Sequence, residues 1–484
     1  MNSDKKGTSL KLNFVLNTFL QILNMIAPLL TAPYVSRVLG VEQIGVFSYT
    51  YSINYYFVMI AGLGTATYGV IEIAKHRDSV EARSQAFWGI ELITIIASIS
   101  CIVIWVGLSL LYKTYTDILL IMTLYLVAVI LDVSWFFLGM ERVQYSVLAN
   151  AMFKIIGIVL TFAFVKKASD IGKYVCILSG TMMLGNASMW FFLPKFITKT
   201  KITVTDVWRH ACGTMLYFIP TIASSVYMVL DKTLIGAITH SSSQNAYYEQ
   251  ATKIINLVKT ITFTSLNTLL GSRMAYLFAN NQTLEINSTR DFALEYVLTI
   301  GIGAAFGIGG ISRIFVPIFF GEEFKLASDF LILMSPLIPI MGVSNLIGNL
   351  YYNPSGNRKK STILLVICCL VNIILNMVLI PRYYGQGAIV ASIIAESLIT
   401  AMYIYYSRQF VTFSILVRLT WKKIIAGIIM LLYLIVVNHL INGTAVALAI
   451  QCGGGIVVYI AVLAALQDSS LRMIMENLCK TRKR

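Results

Sequence analysis

Amide and hydroxyl side chains recur at helical spacing inside the long apolar runs of this 484-residue chain. In the first run Asn13, Asn17, Gln21 and Asn24 fall at steps of four, four and three, so they share one helix face leading to Pro28. A later run carries Tyr217, Thr221, Ser224, Met228 and Asp231 beside Pro220, and the next carries Lys253, Asn256, Thr260, Thr264 and Asn267. Asn345 and Asn349, then Asn372 and Asn376, repeat the pattern. Such faces have two readings. They line a hydrated, hydrogen-bonding cavity, or they are glue between helices worth roughly 0.6 kcal/mol per contact in a membrane. Stripes on this many helices favour the cavity.

Charges inside the same runs sharpen the chemistry. Lys154, Lys232, Lys253, Lys259 and Arg313 are the embedded cations, and Glu91, Asp132, Asp231 and Glu396 the acids. Each costs about 2.5–3.5 kcal/mol at a helix centre, so each should face water or a partner. An excess of cations in a polar cavity suits an anionic substrate such as a phosphate-bearing lipid. The expected substrate-binding set is therefore those five cations with Asn13, Asn17, Asn24, Asn256 and Asn267. Arg313 lies near an outer helix end, where snorkelling is the competing explanation. The four acids are candidates for coupling transport to protons or sodium; structural pairing is the alternative for each.

Other chemistries find little support. Gly356-Asn357-Arg358-Lys359-Lys360-Ser361 lacks the first glycine of a Walker A loop. Seven cysteines without a C-x-x-C, and four scattered histidines, offer no metal cluster, so no metal or cofactor is expected. No serine–histidine–acid or paired-carboxylate arrangement can be placed, and the outside connections are too short for a catalytic domain. The chain is read as a transporter, not an enzyme. A net charge of +15 does not indicate nucleic acid, because the basic residues come in short bursts between apolar runs.

The elements that must position these residues follow from composition. Hydrophobic residues make up 57% of the chain and charged ones only 12%, about half the usual share for a soluble protein. Apolar runs at 12–34, 44–70, 86–112, 118–139, 146–165, 174–194, 211–238, 245–271, 294–320, 327–352, 361–381, 385–407, 421–441 and 444–466 are each long enough to span, which predicts an all-α integral membrane protein of about fourteen helices. The first run is too long for a cleavable signal and should stay in the membrane. With both termini in the cytoplasm, about 25 basic residues fall in inside loops against about 7 outside, as the positive-inside rule requires of a multi-pass inner-membrane protein.

Longer inner connections at 195–210, 272–293 and 408–420 divide the chain. Residues 1–200 form a first six-helix bundle, 201–410 a second, and 411–484 a C-terminal helix pair with a basic tail. Transporters are often built from two such repeats with the substrate path between them, which predicts a central cavity. Pro336, Pro339 and the glycines from Gly301 to Gly310 can bend helices or pack them closely.

Several motifs are shared with a known family. Leu39-Gly40-Val41-Glu42-Gln43-Ile44-Gly45, Trp135-Phe136-Phe137-Leu138-Gly139-Met140-Glu141 and Asp231-Lys232-Thr233-Leu234-Ile235-Gly236 resemble bacterial oligosaccharide flippases of O-antigen and capsule assembly. So does the stretch from Asn372 and Asn376 through Ile380-Pro381, Gly385 and Gly387-Ala388 to Ala395-Glu396. These flippases belong to the multidrug/oligosaccharidyl-lipid/polysaccharide exporter superfamily. The resemblance implies two six-helix bundles in a V. It implies translocation of an undecaprenyl-pyrophosphate-linked oligosaccharide across the cytoplasmic membrane by alternating access, for O-antigen, capsule or exopolysaccharide assembly. Membrane lipids, a polysaccharide polymerase and a chain-length regulator are the implied partners. Cationic cavity residues are a family theme, carried by motif onto Lys232. The rival readings are a multidrug or cation exporter of the same superfamily and, from a different class, a membrane-embedded polysaccharide polymerase.

Overall fold

The structure is a computed structural model that describes residues 10–441 and 445–469, apart from the side chains at 10–15, 17, 219–228, 264, 265 and 268. Asn13, Asn17, Thr221, Ser224, Met228 and Thr264 of the polar stripes, and the basic C-terminal tail, therefore lie outside the described residues. The described chain forms helices only. In order these are α1 (Leu10–Gly62), α2 (Thr65–His76), α3 (Val80–Leu111), α4 (Thr116–Ile130), α5 (Ser134–Gly139), α6 (Gln144–Phe164), α7 (Ile171–Met189) and α8 (Val204–Thr239). They continue with α9 (Ser242–Lys259), α10 (Ser265–Ala279), α11 (Thr283–Phe320), α12 (Ala327–Met334), α13 (Leu337–Ile347), α14 (Arg358–Tyr406), α15 (Phe413–Leu440) and α16 (Ala445–Ala465). Two compact units result, Met1–Thr233 and Leu234–Arg484.

Among the described residues nine helical stretches are long and apolar enough to cross a membrane, or ten if the bent stretch formed by Ala327–Met334 and Leu337–Tyr352 counts as one. The expected fourteen are not reached on length and apolarity alone, for two reasons. α1 and α14 each merge two runs across one non-helical residue, Gly40 (φ 74, ψ 176) and Tyr384 (φ 52, ψ −136). Only glycine enters the first of these backbone regions without strain. Parts of α8 and of the α9–α10 stretch lie outside the described residues, so neither is counted among the nine. The run read as one helix over 118–139 is broken between α4 and α5. The 42° bend between α12 and α13 sits at Pro336, where a missing N–H and ring clash interrupt the helix.

In the first unit α4 and α6 pack on α7, while α1 and α2 pack on α3. An aromatic core of Phe87, Trp135, Phe136, Phe137, Trp190 and Phe196 fills one end. A β-carbon at Gly69 would stand 2.3 Å from the Trp135 ring, so the buried Trp135-Phe136-Phe137 motif of α5 can seat only against that glycine on α2. In the second unit α11 is the central post, packed against α10, α12, α13, α15 and α16. Its glycines serve close approach: a β-carbon at Gly303 would lie 2.9 Å from the Tyr459 ring, and one at Gly310 2.6 Å from Leu434. Large apolar side chains such as Val103, Leu148, Val159, Ile374 and Leu432 are exposed. Lipid is the solvent that accepts them.

Candidate functional site

Lys154 is the central residue of α6, the deepest position an apolar helix of 21 residues can offer. Its ammonium donates to Asn24 Oδ1 of α1 at 2.6 Å. One of its three donors is thereby used, leaving two for an anion. Farther along α1, Tyr34 donates its hydroxyl to the Val165 carbonyl at 2.7 Å, fixing the end of α6. Two residues expected at the site, Asn24 and Lys154, thus meet.

α8 carries the Asp231-Lys232 pair. The helix starts on a capping box: the Asp206 N–H donates to Thr203 Oγ1 (3.2 Å), and the Thr203 N–H and hydroxyl donate to Asp206 Oδ2 (3.2 and 2.6 Å). Gln85 of α3 donates to the same oxygen at 2.9 Å. These bonds, Thr203 first and Gln85 next, hold the Asp206 carboxyl below its ordinary 3.8, at about 2. At the other end Asp231 is buried and Lys232 half-buried. The adjacent Thr233 donates to Ser52 (2.9 Å) and lies 3.1 Å from the Tyr56 hydroxyl, which pins the motif to the second half of α1.

Glu91 on α3 is fully buried, and neither carboxylate oxygen has a hydrogen-bond partner among the described residues. The Asp132 charge bears on it. Asp132 itself accepts from the Ser134 N–H at 2.9 Å, at the first turn of α5, so it has a structural task that Glu91 lacks.

The second unit gathers another set. Glu396 of α14 is buried, accepts a long bond from the Ser344 hydroxyl at 3.5 Å, and acts electrostatically on Lys259 at the end of α9. Lys253 lies 3.5 Å from Glu249 one turn earlier, and Asn256 is half-buried between the two lysines. Asn267 donates to Asn345 Oδ1 at 2.6 Å. Arg313 is exposed and stands 3.9 Å from Asp329.

Sequence reasoning missed one ionic cluster. Lys423 reads as one more charge in a basic run with Arg418 and Lys422, yet it is 0% exposed. It donates to Glu295 Oε2 (2.6 Å), Asp468 Oδ1 (3.1 Å) and the Leu419 carbonyl (2.8 Å), while Ser469 donates to the second Glu295 oxygen. The acids are far away in sequence, so no local spacing betrays the triad. α11, α15 and α16 line an open, almost wholly apolar cavity of about 570 Å³, with Gly303, Gly307, Met430, Gly455 and Tyr459 among its walls. No group of histidine, cysteine or acidic residues among the described residues could hold a metal ion.

Comparison with known proteins places this geometry. The sequence profile of a family described as polysaccharide biosynthesis protein matches residues 10–270. A putative O-antigen transporter of Escherichia coli is 24% identical over 421 residues, 84% of this chain and 99% of that protein. Among solved structures, a lipid II flippase, MurJ, in an inward closed conformation superposes with a TM-score of 0.74 at 18% identity, covering 94% of this chain and 98% of that one. An outward-facing multidrug resistance transporter of the MATE family, in the MOP superfamily, gives 0.54 at 13% identity, covering 81% and 94%. At those identities the structures attest the fold, and the profile, which spans more than half of the sequence, attests the kinship: this chain belongs to the polysaccharide biosynthesis protein family.

Proposed function

We propose that the chain translocates a polyprenyl-diphosphate-linked oligosaccharide across the bacterial cytoplasmic membrane, exposing its polar side chains to the two faces in turn. The observation that carries the reading is the likeness, along 84% of this chain and 99% of the other, to a protein named as a putative O-antigen transporter. The side chains supply fitting chemistry. Lys154 with Asn24, and Lys232 with its neighbouring hydroxyls, offer charge-assisted donors for diphosphate oxygens. Amides and hydroxyls of α9 to α13 replace water around a sugar, and the apolar cavity beside α11 has the chemistry a prenyl chain requires. The role is that of a transporter rather than an enzyme, with both termini cytoplasmic.

Glu91 is the acid best suited to carry a proton in exchange, since it is buried and has no fixed partner among the described residues. A polymerase and a chain-length regulator are the natural consumers of the delivered repeat unit. The test is complementation of a strain that lacks this gene. Lys232→Gln and Lys253→Gln should each abolish surface glycan while the protein still accumulates in the membrane, and full surface glycan from both variants refutes the assignment of these cations.

A further inference from the structure

Four asparagines from two segments of the second unit form one hydrogen-bonded column. Asn353 donates to Asn349 Oδ1 (3.2 Å), Asn349 to Asn345 Oδ1 (2.8 Å), and Asn267 of α10 to the same Asn345 oxygen (2.6 Å). Residues four apart on an ordinary helix drift by about 40° per step, which would carry the third amide out of line with the first. Here the chain passes through a π-helical turn, Gly348–Tyr352, directly after α13. Its wider turn offsets that drift and keeps the three amides stacked. α10 packs against this turn, and α10 itself follows a second π-helical turn, Thr260–Thr264. Such turns are rare and concentrate at functional sites.

Interhelical glue does not account for the column. The pair Asn372 and Asn376 of α14, bonded at 3.1 Å within one helix, is by contrast wholly buried. In the column Asn345 and Asn353 are exposed, and Asn267 and Asn349 half-buried. Asn345 Nδ2, Asn267 Oδ1 and Asn353 Oδ1 make no hydrogen bond with another described residue. The unspent groups of Asn267 and Asn345, inside apolar runs, cannot face hydrocarbon cheaply and so face water, while Asn353 stands at the end of its run before Arg358, Lys359 and Lys360. Successive amides are at most about 6 Å apart along the helix axis, and less across the π-helical turn, a spacing comparable to one sugar ring. Asn345 retains a donor and Asn267 and Asn353 an acceptor each, groups that sugar hydroxyls complement.

We propose that Asn267, Asn345, Asn349 and Asn353 are a saccharide-binding track, taking the hydroxyl-rich rings of the carried oligosaccharide while the cations take its diphosphate; this rests on the transport reading above. The test uses the purified full-length protein and two probes. One is polyprenyl diphosphate without sugar; the other is the glycan-bearing lipid extracted from a strain lacking this gene. The double variant Asn345→Ala/Asn349→Ala should lose at least about tenfold in affinity for the glycan-bearing lipid, the scale of a few lost hydrogen bonds, and bind the sugar-free lipid within about twofold of wild type. Asn353→Ala removes only an exposed side chain, so it tests the track without threatening the fold, and should lose several-fold for the glycan-bearing lipid alone. Equal loss for both probes, or no loss for either, overturns the track and leaves the transport reading standing. A wild-type protein that binds neither probe removes both.

Discussion

Lys423 Nζ donates to Glu295 Oε2 at 2.6 Å with both side chains withdrawn from solvent, although the two residues stand 128 positions apart in the chain. Asp468, beyond the end of α16, completes the cluster at 3.1 Å. The bond ties α15 and the end of α16 to the central post α11. Removing one partner of a buried ion pair leaves an uncompensated charge, whereas removing all of them leaves an apolar contact. Lys423→Met should therefore cost about 3–5 kcal/mol of stability, read as a lower melting temperature of the purified protein. Adding Glu295→Leu and Asp468→Leu should restore most of it. An unchanged melting temperature in Lys423→Met contradicts the account.

The contact between Lys154 and Asn24 leads to a different expectation, because the ammonium there retains donors for a ligand. Lys154→Gln keeps a hydrogen-bond donor to Asn24 but no charge. It should weaken binding of polyprenyl diphosphate at least about tenfold, with a melting temperature near that of wild type. Lys154→Arg should retain part of the affinity. Loss of folding without a specific loss of binding would make Lys154 a structural residue.

Glu91 offers a third test. Gln has its shape and cannot ionise, so Glu91→Gln should fold normally and accumulate in the membrane. Translocation by this variant in proteoliposomes should no longer respond to an imposed proton gradient. A response equal to that of wild type would leave the coupling to another group.

The capping box of α8 gives a pH dependence with a definite sign. The folded-state carboxyl of Asp206 titrates at about 2, below its ordinary 3.8. Its contribution is present in full above that ordinary value and is lost as pH falls from about 4 towards 2. Protection of the amides at residues 203–209, taken relative to the intrinsic exchange rate at each pH, should fall over that window in wild type. In Asp206→Asn the exchange should already be faster at pH 7 and lack this acid-induced step.

How far the sequence disclosed all this depends on the range of each interaction. Lys154 and Asn24 could be singled out because a charge or an amide within an apolar run must find water or a partner, whatever the fold. The bend at Pro336 was visible for the same local reason, a proline inside a helical run. The kinks at Gly40 and Tyr384 were foreshadowed only as gaps between apolar runs, since backbone angles are not written in hydropathy. Lys423 was hidden by its neighbours: Arg418 and Lys422 made it look like one more loop charge, and its acids come from α11 and the segment after α16. The asparagine column was half visible. Asn345 and Asn349 show the helical spacing, but the π-helical turn that brings Asn353 into line, and the approach of Asn267 from another helix, arise only from packing.

Translocation itself is the quantity that most directly tests the transport assignment. The purified protein would be reconstituted into vesicles loaded with glycan-bearing polyprenyl diphosphate, and the fraction of glycan within reach of an impermeant glycosidase followed in time. The account requires wild-type protein to bring the inner-leaflet fraction within reach, and Lys154→Gln/Lys232→Gln to leave it protected as in protein-free vesicles. Protection by wild-type protein equal to that of empty vesicles, under either direction of an imposed ion gradient, would contradict it.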